Sequence, residues 1–410
     1  MIDFNFEQDC CGCASCVNCC PVGAIEMRGN EEGFLIPVVN KDICINCGKC
    51  DKSCPHLNSS TDRGDFSLNS FKNKEAYLYY SNSQKRKDSA SGGFVYDAML
   101  SCLKDGGVIC GCVWDDNMKA VHIVSDKLED LYRMQSSKYV QSDMGNCFTK
   151  IETALKSGQK VVFCGTPCQT AGLYFFLGKT DRMNLISICL ICHGVPSPDV
   201  WRKWVEVMEE KHRGKLVNIN MRDKSYKGYK TSYSKYTFVS VERRLDLQSR
   251  YVGMPTYLAD PYIFLFTDNL YLRHSCDRCQ YKADRNGANI IVGDFYASTE
   301  GAGNLGCSCM IAMNKKGKDY INSLEGTIKA SNFMEVGTVN SMLWKSIAQR
   351  PDRHAFFERF KQTANADEHL FTDFLPFRFK VKKILNRMGL FDFVRIIFSI
   401  KDNWGMKKKD

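Results

Sequence analysis

Eight cysteines within the first 55 residues carry the most specific chemistry in this chain. Cys10, Cys13, Cys16 and Cys20 are followed by Pro21, and Cys44, Cys47, Cys50 and Cys54 by Pro55. Both runs read C-x2-C-x2-C-x3-C-P. In a turning chain, side chains three apart point the same way, so each C-x2-C-x2-C can wrap three corners of a cubane iron–sulfur cluster. Zinc takes four ligands, usually in two pairs, and two runs of four closed by Pro fit that poorly. With 22 Cys and no export signal at Met1 to Gln8, the thiols are expected reduced and metal-bound rather than paired as disulfides.

The spacing is that of bacterial two-cluster ferredoxins, where the fourth Cys of each run ligates the other cluster. Cys10, Cys13, Cys16 and Cys54 are therefore assigned to one 4Fe-4S cluster, and Cys44, Cys47, Cys50 and Cys20 to a second. A shifted frame through Cys13, Cys16 and Cys19 would need its last Cys at position 23, which is Gly23. Cys11 and Cys19 are accordingly placed outside both ligand sets.

Several elements must position these residues and whatever they feed. Residues 1–58 are expected to form the ferredoxin-like unit, with short strands over 24–27 and 34–39. The Ser/Asn-rich stretch 59–75 reads as a linker. From Glu75 the pattern becomes α/β: a strand to Tyr80, a helix over 94–104, paired strands over 107–114 and 119–124, and a helix over 146–157. Two short apolar strands follow, 160–163 and 184–190. Each runs into a loop bearing Cys, namely Cys164-Gly165-Thr166-Pro167-Cys168-Gln169 and Ile191-Cys192-His193-Gly194. Such loops at strand ends are where α/β sheets hold ligands. Beyond about 320 the chain reads as helical. The fold class is α+β: a ferredoxin-like domain (1–58), a linker (59–75), a larger α/β domain (76–320), a helical region (321–375) and a basic amphipathic tail (376–410).

The motifs ASGGF (90–94), SSKY (136–139), CGTPCQ (164–169), CHGVPS (192–197), RDKSYKGY (222–229), SCDRC (275–279) and GDFY (293–296) occur in order. Together they make residues 75–320 resemble the family of coenzyme F-420 hydrogenase/dehydrogenase beta subunits. The resemblance implies an iron–sulfur flavoprotein oxidoreductase holding FAD, with an external electron donor or acceptor and a small-molecule substrate. The substrate stays open: it is the deazaflavin coenzyme for some relatives, and one similar branch occurs beside polysaccharide biosynthesis proteins. A non-catalytic electron relay within a larger redox complex is the rival reading.

With that resemblance, Cys168, Cys192, Cys276 and Cys279 become ligands of a third 4Fe-4S cluster. The competing account is four inert buried thiols, and Cys307 and Cys309 rank below them as ligands. Ser91, Gly92 and Gly93, opening a helix, can offer backbone N–H groups to a flavin phosphate, or simply cap the helix. Lys138 and Tyr139 can supply a cation and a stacking ring, or be a loop Lys and a core Tyr. Gly165, Thr166, Pro167 and Gln169 are placed along the isoalloxazine. Asp294 is a polar group at a strand end or a turn Asp. Arg222, Lys224, Lys227 and Lys230 form either an anion site or a solvated loop. A Cys168–His193 nucleophile pair is disfavoured, because no third residue orients it and Pro167 is read as denying Cys168 a helix N-terminus. No catalytic residue is assigned.

The formal charge is +10. From Leu375 to Asp410 there are ten Lys or Arg against three Asp, so the excess sits in the tail and a nucleic-acid partner is not expected. Apolar residues in that tail recur at helical spacing, which suits either a helix on an anionic membrane or one packed on the body. No apolar run reaches the length of a membrane span. The expected location is the cytoplasm, with contact to the inner membrane face if the tail binds lipid.

Overall fold

The computed structural model describes all residues except 1, 60–66, 226–227, 230–231, 241–248, 256–259, 298–300, 378, 380 and 382–410. Lys227, Lys230 and nearly all of the basic tail lie outside the described residues, and with them the membrane reading.

The two cysteine runs are folded alike, as their 34-residue offset requires. Gly12 and Asn46 have φ of +69° and +50°, and Ala14 and Gly48 have +60° and +67°. These four positions are equivalent in the two runs. Left-handed backbone at every second residue turns the chain tightly enough to aim successive Cys side chains inward. A short helix follows in each run, Ser15–Asn18 and Lys49–Ser53. Between the runs, β1 (Ile25–Gly29) and β2 (Leu35–Val39) pair antiparallel with Ile25 opposite Val39.

The rest of the chain is built on one eight-stranded sheet. Its strands are β3 (Glu75–Tyr80), β4 (Val108–Trp114), β5 (Ala120–Ser125), β6 (Val161–Gly165), β7 (Leu185–Leu190), β11 (Ile290–Phe295), β12 (Cys307–Ala312) and β13 (Thr327–Ser331). The order is β13-β3-β12-β11-β7-β6-β4-β5. The central four, β4, β6, β7 and β11, are parallel. They are almost wholly apolar and buried on both faces, as parallel strands must be. A second, three-stranded antiparallel sheet holds β8 (Gly214–Asp223), β9 (Tyr233–Ser240) and β10 (Ser249–Pro255). Beyond 320 the chain is only partly helical: β13 pairs with β3 along the sheet edge before helices resume at Phe333–Val339 and Arg353–Gln362. The sequence TIKAS is β-branched at its start, and the open edge of β3 recruits it.

Among the described residues, no helix is long and apolar enough to cross a membrane.

Candidate functional site

Cys10, Cys13, Cys16 and Cys54 line one cavity. Cys20, Cys44, Cys47 and Cys50 line a second. The structure thus sorts the eight cysteines crosswise, each run lending its last Cys to the other cavity. No three His, Cys, Asp or Glu side chains among the described residues converge to hold a single metal ion. A cubane is held at four separate corners, so its ligands surround a space rather than meet at a point. The donor set and the two cavities therefore fit cubanes. Burial pushes the Cys54 thiol up to about 11, so ionisation there depends on a metal. Backbone N–H groups already point at ligand sulfurs: Gly12 at Cys10 Sγ (3.3 Å), Ala24 at Cys20 Sγ (3.2 Å) and Ile2 at Cys50 Sγ (3.3 Å). Such bonds tune cluster potential.

The two remaining cysteines differ from each other. Cys19 shares a hydrogen bond with Ser53 Oγ at 3.0 Å and donates to Cys16 O at 3.3 Å, a structural role. Cys11 lines the first cavity, and its thiol is in hydrogen-bonding reach of both Cys13 and Cys168. It therefore stands between the ferredoxin cysteines and those of the large domain.

On the large domain, β6 and β7 are adjacent and parallel, so their carboxyl ends open onto one crevice. Cys168 follows the first and Cys192 the second. The loop carrying Cys276 and Cys279 is pinned there by the Pro196–Leu272 bridge and by Arg273 N donating to Val195 O at 3.1 Å. The four thiols fall within electrostatic range of one another. Burial first, with its thiol neighbours adding, pushes Cys192 up to about 12 and Cys279 up to about 11. Lys282, itself buried, donates to Cys192 O at 2.6 Å and holds a positive charge beside them. Cys307 and Cys309 are elsewhere, turned toward the carbonyls of Tyr79 and Asp294. Pro167 opens the Pro167–Leu177 helix rather than breaking one, so Cys168 does sit in a first helical turn. The nucleophile pair still fails: His193 bonds Asn269 Oδ1 at 2.6 Å instead of Cys168.

The two redox segments are docked on each other. Gly172, in the Cys168 helix, lies so near Cys13 that a methyl group there would be 2.8 Å from its Cβ. Arg273 is buried and donates to Cys10 O (2.6 Å), Leu35 O (3.1 Å) and Gln141 Oε1 (3.1 Å). Arg353, also buried, pairs with Glu32 of the ferredoxin hairpin, and His274 joins them. Burial opposes ionisation of Glu32, yet His274 and Arg353 together hold its carboxyl below the usual range. Tyr281 is buried, its hydroxyl has no partner among the described residues, and it lies beside Cys11, Cys13 and Cys168.

The residues expected around a flavin gather only in part, and several of their polar groups are already engaged. Ser91 Oγ donates to Cys307 O at 2.6 Å, and Gly92 N to Ser308 Oγ at 3.0 Å. Gly93 is the left-handed cap of the Phe94–Lys104 helix. Lys138 Nζ caps the end of the Leu128–Met134 helix, donating at 2.8 Å to the carbonyls of Arg133 and Gln135. Thr166 and Gln169 form a capping box on the Pro167 helix. Tyr139 stacks on Phe266 at 4.8 Å between ring centroids. A different polar cluster has formed at the same sheet edge. Arg222 Nη1 donates to Asp294 (2.8 Å) and Tyr139 OH (3.0 Å). Tyr296 OH bonds Asp294 at 2.9 Å and stacks on Tyr229. Among the described residues, Arg222 Nε and Arg86 Nε are buried without partners. Arg222 and Asp294 stand in motifs singled out from sequence. Tyr229 and Tyr296 end those same motifs, which is the signal that marks them.

Residues 9–58 match the 4Fe-4S dicluster domain, and residues 158–335 match the family described as the C terminus of the coenzyme F-420 hydrogenase/dehydrogenase beta subunit. The chain is thus similar to a dicluster ferredoxin domain over its first segment and to that hydrogenase/dehydrogenase family over 158–335. It is similar to the F chain of the F(420)H(2) dehydrogenase of Methanosarcina mazei, 20% identical over 52% of this chain and 60% of that protein. It is 40% identical to the coenzyme F-420-dependent sulfite reductase of Methanocaldococcus jannaschii over 40% of this chain, but only 24% of that protein. This chain thus spans less than two thirds of either relative. A chain of the F-420-reducing nickel–iron hydrogenase complex of Methanosarcina barkeri superposes with a TM-score of 0.42 at 14% identity, covering 73% of this chain and 94% of that one.

Proposed function

We propose that this protein is an iron–sulfur flavoprotein oxidoreductase whose ferredoxin domain is wired to a third cluster at the edge of the main sheet. Cys10, Cys13, Cys16 and Cys54 hold the first cluster, and Cys20, Cys44, Cys47 and Cys50 the second. Cys168, Cys192, Cys276 and Cys279 hold the third. The observation that carries this reading is the close approach of Gly172, in the helix whose first turn holds Cys168, to Cys13, which puts the first cavity against the third thiol group. Inert cysteines would have no reason to face a redox domain across its docking interface. Cubanes exchange single electrons, and a bound flavin would supply the conversion to two-electron chemistry on an organic substrate. Arg222 Nε, buried without a partner among the described residues, supports a ligand with acceptor oxygens beside Asp294. The names of the relatives point to the deazaflavin coenzyme as one substrate to try, and a glycan-synthesis intermediate is the other.

A second reading, an electron relay lacking flavin, draws support from Ser91 and Lys138, whose polar groups are spent on backbone partners. Anaerobic purification followed by iron, labile sulfide and flavin assay separates the two. About twelve irons per chain with bound flavin supports the oxidoreductase. About eight irons without flavin supports the relay, and fewer than eight removes the ferredoxin assignment.

A further inference from the structure

The two ferredoxin cavities differ in where they face. The first is lined by four buried cysteines and is pressed against the Pro167–Leu177 helix. The second opens outward, and Cys47 on its wall is exposed. Val22 and Ile45 on its wall are 41% and 61% exposed, and Ile43, beside the ligand Cys44, is 47% exposed. Isolated exposed aliphatics are ordinary, but three together over a redox cavity, on a domain this small, need an occupant.

Charge indicates which occupant. Residues 1–58 carry eight Asp or Glu and only four Lys or Arg. One of the four, Arg28, pairs with Glu26. Of the other three, Lys49 lines the second cavity, Lys41 and Lys52 stand three residues before Cys44 and two after Cys50, and all are exposed. Asp42 and Asp51 share the segment 41–52, so the face is mildly positive on an otherwise acidic domain. An apolar centre with a basic rim is suited to a brief encounter with a negatively charged partner.

We propose that this face, built on Val22, Ile43, Ile45 and the three lysines, is the docking surface for a small acidic iron–sulfur carrier protein. The proposal rests on the iron–sulfur reading above. It sets an order: carrier, second cavity, first cavity, Cys11, then the Cys168 group. Each encounter moves one electron, so the carrier is oxidised by one and this chain reduced by one, with no bond made or broken. The flow reverses if the relative potentials reverse.

The test uses the whole chain, purified anaerobically, with an acidic two-cluster ferredoxin as the probe. Calorimetric affinity should fall about tenfold or more when salt is raised from about 50 to 300 mM, because rim charges are screened. The Lys41→Glu/Lys52→Glu variant should lose about tenfold or more in affinity at low salt. Its iron and sulfide content and its bleaching by dithionite should stay unchanged. Full iron content with salt-insensitive binding that ignores the two substitutions overturns the docking face alone. Self-association through Ile45, abolished in Ile45→Glu, reassigns the face to a second copy and overturns it equally. Absence of iron from the wild-type chain sinks the functional reading, and this proposal with it.

Discussion

At the scale of single residues, Cys11 separates two kinds of cysteine. It sits one position after a motif cysteine, lines the same cavity, and has its thiol within reach of Cys168 across the interface. Replacing it with Ser should leave iron content unchanged, because four other thiols complete that cavity. It should weaken the magnetic interaction between the reduced first and third clusters in electron paramagnetic resonance spectra. A loss of about four irons would instead make Cys11 a ligand. His122 offers a second test, away from the redox residues. It is buried on β5, one ring nitrogen faces Cys164 O at 3.3 Å, and the other has no partner. Burial lowers its pKa to about 4. Below its unfolded value near 6.5 the unfolded chain takes up a proton that the folded chain refuses. Stability should therefore fall as pH drops from about 6.5 toward 4, by roughly 3 kcal/mol in total. In His122→Gln that slope should be shallower by about one proton in denaturant titrations, and an unchanged slope would refute the assignment.

At the scale of elements, the Pro167–Leu177 helix does three jobs. Its first turn carries Cys168, its capping box fixes where that turn begins, and its next turn brings Gly172 against Cys13. A side chain at position 172 would collide with the Cys13 loop. Gly172→Ala should cost about 1–3 kcal/mol by overpacking. It should also reduce iron occupancy of the first cluster more than that of the second, because Cys13, which meets Gly172, lines only the first cavity. Normal iron content and stability would show that the loop can yield. The left-handed pairs Gly12/Asn46 and Ala14/Gly48 illustrate the same logic within the ferredoxin unit, where one backbone solution is used twice.

At the scale of the whole molecule, two buried guanidiniums fasten the ferredoxin unit to the sheet domain. Arg273 reaches Cys10, Leu35 and Gln141, and Arg353 reaches Glu32. Cutting Arg273 back to Ala leaves three acceptors without their donor, a loss of about 2–5 kcal/mol. The expected signs are a lower denaturant midpoint and faster proteolysis within 59–75. Unaltered proteolysis and midpoint would mean that Arg353 and the Gly172 contact suffice. Rigid docking of this kind keeps the first cavity and the Cys168 group at one separation, which a flexible tether would not.

How much of this was legible in the sequence follows from the range of each interaction. The cysteine spacing, the strands at 75–80, 108–114 and 185–190, and the helix at 94–104 are local patterns, readable from neighbouring residues alone. The crosswise sharing of Cys20 and Cys54 was legible too, because the spacing itself implies it. Other features depend on which distant segments meet. TIKAS became an edge strand because β3 had an unpaired side. Lys138 turned inward to cap a helix end. Cys11, unremarkable in a string of cysteines, became a bridge only when the Pro167 helix packed beside it. The sequence by itself determined the two cysteine runs of the ferredoxin domain, since residue type and spacing are properties of the chain. Only the tertiary structure decided the wiring, because proximity between residues as distant in sequence as Cys11 and Cys168 is set by packing and leaves no mark on local composition.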